Sequence, residues 1–210
     1  MYKRQAREID LGFARVLCVR ITYLGELGYE LYVPTEQAVH VYDRIVAEGE
    51  PFGLRHAGLK ALASLRLEKG YRDYGHDIDN TDGPLEAGFG FAIAWDKPGG
   101  FLGREAVLAR REAGLERRLV SVLLDDPEPL LYHAEVLRRD GRALGYLRAG
   151  SYGHTLGGAV GLAMVEGHGE AITSAWLAAG SWTVEVNGRE YPATVSLKPL
   201  YDPANARIKQ

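Results

Sequence analysis

The chain has 210 residues, 46% of them hydrophobic and 25% charged, with a formal net charge of −3. That balance suits an ordinary globular protein and gives no electrostatic footprint for nucleic acid or an anionic membrane surface. No apolar run approaches the roughly 20 residues that cross a bilayer, the polar start MYKRQAREID lacks the apolar core of a secretory signal, and one cysteine, Cys18, allows neither an internal disulfide nor a cysteine-based zinc site.

These features predict a cytoplasmic protein with one substantial core or two small ones. In chain order, FARVLCVRITY and YELYV make residues 13–34 a predicted β-hairpin. Thr35 is placed to cap a helix with Glu36 in its first turn. Ala38, Val41, Tyr42, Ile45 and Val46 then recur at helical spacing until Gly49. A second helix is predicted over 55–69 (RHAGLKALASLRLEK), stopping at Gly70. YRDYGHDIDNTDGP reads as a loop, PLEAGFGFAIAW as a buried strand, and GREAVLARREAG as a short helix ending at Gly114. From about residue 116 the pattern becomes short β-runs with DG, GG and NG turns, the clearest hairpins turning at Asp140-Gly141 and Asn187-Gly188. Such spacing predicts a small antiparallel barrel. The fold class is therefore α+β, with a mixed first domain over 1–115 and a barrel over 116–210. No repeat of fixed period and no low-complexity tract is present.

The stretch ITYLGELGYELYVP (Ile21–Pro34) carries carboxylates where a plain hairpin would avoid them. A turn centred on Glu26-Leu27 would set Tyr23 opposite Glu30, on one face with Ile21 and Tyr32. Their Cβ atoms would then lie about 5 Å apart. A carboxylate so placed accepts two parallel hydrogen bonds from an amidine-like edge, although a hairpin glutamate is commonly solvated and a strand tyrosine commonly packs. On the second predicted helix, Arg66 shares a stripe with Leu59, Leu62 and Ala63. An arginine there needs an anion, because an unpaired buried charge is costly; Glu68, Glu86 and Glu30 are the candidate partners.

Other constellations carry less. HDIDNTDG fails as a calcium loop: counted from Asp77, position 6 is Asp82 where glycine is needed and position 12 is Gly88 where glutamate is needed. His76, Asp77 and Asp79 read as a solvated loop, with no metal expected. Ser151, His154 and Asp140 lack a G-x-S-x-G elbow. GHTLGGAVG lacks the spacing of a dinucleotide fingerprint. Trp95, Trp176 and Trp182 are expected in cores.

YLGELGYELYVP, GLKALASLRLEKGYRDYGHDID and PLEAGFGFAIAWDKPGGFLGREAV together resemble the folate-binding part of the aminomethyltransferase (glycine cleavage T-protein) family. The type they are most similar to is the C-terminal region of dimethylglycine and sarcosine dehydrogenases. GRALGYLRAGSYGHTLGGAVGLAMV is similar to that family's small C-terminal barrel. The resemblance implies a partial folate-binding α/β domain followed by the barrel, with tetrahydrofolate as ligand. Through the Y-x-G-E-x-G-[YF]-E pattern it assigns Tyr23 and Glu30 to the folate, Glu30 accepting from the pterin N3–H and 2-amino edge and Tyr23 stacking or hydrogen-bonding. It implies a supporting charge at Arg66 and a lining role for Tyr152.

The implied reaction oxidises an N-methyl group to an iminium at a flavin, whose one-carbon unit tetrahydrofolate takes up as 5,10-methylene-tetrahydrofolate. FAD is expected only on a missing N-terminal domain or a partner subunit. The chain begins about midway through the family's folate domain, so the acidic residue beside the reacting folate nitrogen has no counterpart and no catalytic residue is assigned. Leu62 stands where glycine-cleavage members carry an arginine, and EKGYRDYG lacks the cysteine of an iron–sulfur-assembly cousin group. The alternatives are a non-catalytic binding or assembly module and a glycine-cleavage-type aminomethyltransferase. A chain of this kind is expected to leave apolar faces or sheet edges exposed.

Overall fold

A computed structural model describes residues 5–209. The chain divides into two compact units, one built from the described residues of Met1–Leu62 and Ala204–Gln210, the other from Ala63–Pro203.

The first unit carries a three-stranded antiparallel sheet, β1 (Ala6–Leu11), β2 (Ala14–Val19) and β3 (Glu30–Tyr32), in that spatial order. β2 alternates as a half-buried strand should: Ala14, Val16 and Cys18 are buried while Arg15 and Leu17 are exposed. β1 was not predicted, because its only apolar alternation is the short Ile9–Asp10–Leu11, the two apolar side chains packing on the Ala14–Val16 core, while the rest of AREIDL is exposed. The β1–β2 turn places Gly12 at φ 66°, where an added Cβ would lie 2.5 Å from the His40 ring; glycine answers both constraints. Helix α1 (Ala38–Gly49) packs Val41 and Ile45 onto Ala14 and Val16. One expectation fails at its start: Thr35 opens a 3₁₀ turn and makes no side-chain cap. The α-helix ends at Gly49 as predicted, followed by a 3₁₀ turn to Gly53, which takes the left-handed conformation at φ 72°.

Helix α2 (Leu59–Glu68) starts four residues later than predicted and terminates at Gly70, φ 63°. The predicted strand PLEAGFGFAIAW is instead a series of turns with one 3₁₀ turn, Gly90–Ala92. Only Leu85, Glu86 and Ala87 of that run are buried, and Gly88 at φ 81° breaks any extended path. Helix α3 (Arg104–Ala113) ends at Gly114, φ 84°, as predicted.

The expected barrel is closed and six-stranded. Strands β4 (Arg117–Leu124), β5 (Val136–Arg139), β6 (Arg142–Gly153), β7 (Gly158–Glu166), β8 (Trp182–Val186) and β9 (Arg189–Ser196) pair in the order β4-β7-β6-β5-β8-β9, with a short unpredicted helix α4 (Ser174–Ala178) before β8. Both predicted hairpins form. Asp140-Gly141 and Asn187-Gly188 have φ of 51° and 79°, and 50° and 74°, the double positive φ that a type I′ turn requires. Val120, Val122, Leu137, Leu147 and Val184 fill the interior.

β7 is buried on both faces, which explains its near-continuous apolar sequence GAVGLAMV. Ala159, Ala163 and Val165 point into the barrel. Val160, Leu162 and Met164 point outward onto Leu67 of α2, Ile78 and Ala87. The second core is thus the outer face of the barrel.

Of the three tryptophans only Trp182 is buried. Trp95 and Trp176 are half-buried, with the guanidinium groups of Arg111 and Arg139 at 4.8 Å and 4.1 Å from their ring centres; Trp176 also packs against the barrel core, its ring centre 5.8 Å from that of Trp182. Apolar side chains exposed at the surface include Phe13, Val39, Phe52, Phe91 and Leu102. No helix of the described residues is long and apolar enough to cross a membrane.

Candidate functional site

Tyr23 and Glu30 belong to the first unit, and the ladder there corrects their predicted pairing. Val19 lies opposite Glu30, Cys18 opposite Leu31 and Leu17 opposite Tyr32. The chain leaves the ladder after Val19 and returns at Glu30, so Tyr23 lies in the intervening loop and does not oppose Glu30. Local bonding holds that loop: the Thr22 hydroxyl accepts from the Leu24 N–H at 3.1 Å, Gly25 adopts φ 81°, and an added Cβ on Gly28 would come within 3.2 Å of Thr22. A two-residue turn therefore does not form.

Tyr23 is half-buried and Glu30 exposed. The aromatic that meets Glu30 is Tyr32, two residues on along β3, whose hydroxyl donates to Oε2 at 2.8 Å. That hydrogen bond and the carboxylate charge hold the Tyr32 phenol above its ordinary pKa. The i, i+2 spacing on a strand was the available signal.

In the second unit the segment Ser64-Leu65-Arg66-Leu67-Glu68-Lys69 is the organising element. Its four polar side chains are all buried. Arg66 forks onto Asp77, with Nη2 donating to Oδ1 at 3.2 Å and Nη1 to Oδ2, while Nη1 also reaches the Tyr71 carbonyl at 3.0 Å. The partner is thus none of Glu30, Glu68 and Glu86. Asp77 is wholly buried. It further accepts from the Asp73 N–H at 2.8 Å and bonds His76 Nδ1 at 2.9 Å.

The loop read as solvated is therefore folded around a buried carboxylate, with Ile78 buried beside it. The demand of Arg66 for an anion was legible; which aspartate met it was not. Asp82 of the same loop is buried too, receiving Arg148 at 2.5 Å and Arg117 at 3.2 Å. Asp79, by contrast, is exposed, and the Thr81 hydroxyl and N–H hold its carboxyl below the usual value.

The remaining positions of α2 grip other loops. Lys69, fully buried, donates from Nζ to the Asp202 carbonyl at 2.5 Å and its Oδ2 at 3.1 Å. Glu68 Oε1 accepts from the Thr155 and Leu156 N–H groups at 2.7 Å and 2.9 Å. The Ser64 hydroxyl donates to the Tyr152 carbonyl at 2.6 Å. Tyr152 is half-buried near the end of β6, its ring centre 5.2 Å from that of His154. Glu86 pairs with Arg110, and burial lowers the pKa of Arg72 nearby in sequence to the loop. An open cleft of about 680 Å³ runs along Trp95, Lys97, Phe101 and Arg104; the sequence reading did not single it out. Among the described residues no group of three or more His, Cys, Asp or Glu side chains could hold a metal ion.

A mixed helix-and-sheet region followed by a closed six-stranded antiparallel barrel is an architecture shared with known proteins. Residues 2–97 match the GCVT N-terminal domain, and residues 117–202 match the glycine cleavage T-protein C-terminal barrel domain. The chain belongs to the glycine cleavage T-protein family.

It is 42% identical over 203 residues to 4-methylaminobutanoate oxidase (formaldehyde-forming) of Paenarthrobacter nicotinovorans, a match that covers 97% of this chain and 24% of the relative. It is 36% identical over 195 residues to the mitochondrial sarcosine dehydrogenase of Homo sapiens, covering 92% of this chain and 21% of that protein. The chain therefore spans less than a quarter of the length of these relatives. Among solved structures, glycine cleavage system aminomethyltransferase T from Bartonella henselae superposes with a TM-score of 0.79 at 23% identity, over 97% of this chain and 54% of that one. That likeness establishes the fold.

Proposed function

We propose that this chain is the tetrahydrofolate-binding portion of a one-carbon-transfer enzyme of the dimethylglycine/sarcosine dehydrogenase type. The observation that carries the proposal is the tandem match to both family domains, together with similarity to a 4-methylaminobutanoate oxidase (formaldehyde-forming) and a sarcosine dehydrogenase. Residues 1–115 form the folate-binding part and 116–210 the barrel. The ligand is a small-molecule folate, neither nucleic acid nor membrane is a partner, and the location is cytoplasmic, in keeping with the one free cysteine, Cys18.

The residues present suit a reduced pterin. Glu30 is exposed on a strand and takes one phenolic donor. A carboxylate has about four lone-pair positions, so capacity remains for a fork from an N–H/NH₂ edge. Tyr23, half-buried in a loop tied by Thr22 and Gly25, offers a ring for stacking and a hydroxyl for hydrogen bonding. Arg66 acts as supporting charge through Asp77, and Tyr152 as a lining residue. Tetrahydrofolate, when bound, supplies the nucleophilic nitrogen that takes the one-carbon unit. FAD on a further domain or partner subunit supplies the oxidation of the N-methyl group. The service of this chain is orientation, which raises the effective concentration of nucleophile against electrophile and limits loss as formaldehyde.

Calorimetric titration with a reduced folate tests the reading. Micromolar binding is expected, weakened about tenfold or more by Glu30→Gln because a charge-assisted fork is lost. Absence of binding to the folded chain would instead favour a non-catalytic binding or assembly module, and transfer from a lipoyl-bound aminomethyl donor a glycine-cleavage-type aminomethyltransferase.

A further inference from the structure

The geometry points to Ser64 and Glu68 as positioning residues that preset Tyr152 for an aromatic ligand ring, an inference that rests on the folate reading and deepens it. The two lie four residues apart on α2 and so share one helix face. Both are buried, at 5% and 1% exposure. Together they hold the end of β6 and the turn that follows it: Ser64 Oγ donates at 2.6 Å to the carbonyl of Tyr152, a strand residue opposite Ala159, and Glu68 Oε1 accepts from the Thr155 and Leu156 N–H groups within the turn. The turn itself closes with Gly157 N–H on the Gly153 carbonyl at 2.8 Å. Gly153 leaves no room for slack, since an added Cβ would approach Glu68 Oε1 and Val160 Cγ1 at 3.1 Å each.

The chemistry of this contact is more specific than packing requires. Leu67, next to Glu68, already seats α2 on the barrel through Val160, Leu162 and Met164. Burying a carboxylate beside that apolar contact is costly unless backbone donors compensate it. Two such donors reach Oε1 and belong to one turn, while Oε2 is buried with no hydrogen-bond partner among the described residues, so the carboxylate is held for the one backbone position that Oε1 fixes. The side chain that β6 carries next to that turn is Tyr152, half-buried, with His154 of the turn beside it at an interplanar angle of 59°. An aromatic side chain on a backbone already ordered spares the cost of ordering when a planar ligand binds.

The test is a double-mutant cycle on the full chain with 5-formyl-tetrahydrofolate as probe. Ser64→Ala is nearly isosteric and is expected to weaken binding about fivefold, the loss of one hydrogen bond's worth of positioning. In a Tyr152→Ala background it is expected to cost nothing further, a non-additivity that a purely structural role would not produce. Equal losses in both backgrounds would overturn the positioning role while leaving the folate reading intact; a folded wild-type chain that fails to bind the probe would sink both. A ligand-free arm examines the clamp by itself. Glu68→Gln, which keeps shape and removes charge, is expected to speed hydrogen exchange of the Thr155 and Leu156 amides at least about tenfold. Unchanged exchange there would overturn the clamp.

Discussion

The barrel and the α2–loop segment beside it are held by opposite means. Each barrel strand has a partner on both sides, and its interior is formed by apolar side chains such as Val122, Leu137, Leu147 and Val184. Between residues 64 and 86 there is only one isolated bridge, Tyr74 with Ile78, and the buried side chains include Ser64, Arg66, Glu68, Lys69, Asp77 and Glu86. A closed ladder satisfies its own backbone, so any apolar residues of suitable size suffice inside. The segment without a ladder closes its backbone in local turns, such as Asp77 N–H on the Asp73 carbonyl at 2.9 Å, and adds side-chain bonds specific to their geometry, such as Asp73 N–H on Asp77 Oδ2. β7 joins the two regimes, one face in the barrel core and the other under α2. Buried charge here ties a series of local turns into one loop that no strand ladder frames.

The contrast is tested most severely at Asp77. Asp77→Ala leaves Arg66 buried with only the Tyr71 carbonyl among its described acceptors, and also strips the Asp73 N–H and His76 of their partner. The expected loss is about 3–5 kcal/mol by urea unfolding, because one charge of a buried pair is stranded. Replacing both residues, Arg66→Met with Asp77→Leu, should recover most of that loss in stability while loosening the 71–82 loop. A loss below about 1 kcal/mol in the single variant would mean that the pair does not organise the loop. Leu147→Ala measures the other regime. Leu147 is fully buried in the barrel, so a cost of about 3 kcal/mol is expected. Loop amides should keep their relative exchange protection, since the ladder itself is intact.

Legibility follows the same division. The hairpins at Asp140-Gly141 and Asn187-Gly188 were readable because type I′ turns demand positive φ at both positions, and few residue pairs supply it. Gly114 was readable as a helix stop for a similar reason. β1 was not, because Ile9 and Leu11 are its only apolar alternation and two positions are too short a period to mark a strand. PLEAGFGFAIAW misled because apolar content without a strand partner resembles a buried strand. At the candidate site, the residue types were visible but the register was not. Hairpin register follows from loop geometry, and the residue 20–29 loop, tied by Thr22 to Leu24, sets Val19 against Glu30. Asp77 escaped for a related reason: loop aspartates are commonly solvated, and only the fold shows which one an internal arginine claims.

The smallest expected effect concerns a polar pair at the surface. Tyr32 is 56% exposed and donates to Glu30 on an open strand. Unlike Arg66–Asp77 it should add little to stability, yet it should be plain in a titration. The carboxylate accepts from the phenol and repels the phenolate, so the folded-state pKa lies above the ordinary value near 10. A raised pKa makes any stabilisation complete below the unfolded-state value and lost as pH rises through the folded-state value, so the window is strongly alkaline. Ultraviolet titration of tyrosinate should therefore show a late step from Tyr32. Tyr32→Phe should delete that step, and Glu30→Gln should move it to lower pH by removing the negative charge, with the urea midpoint of either variant close to that of the parent. A late step that survives both substitutions would assign it to another tyrosine and undo the contrast between buried and exposed pairs at this strand.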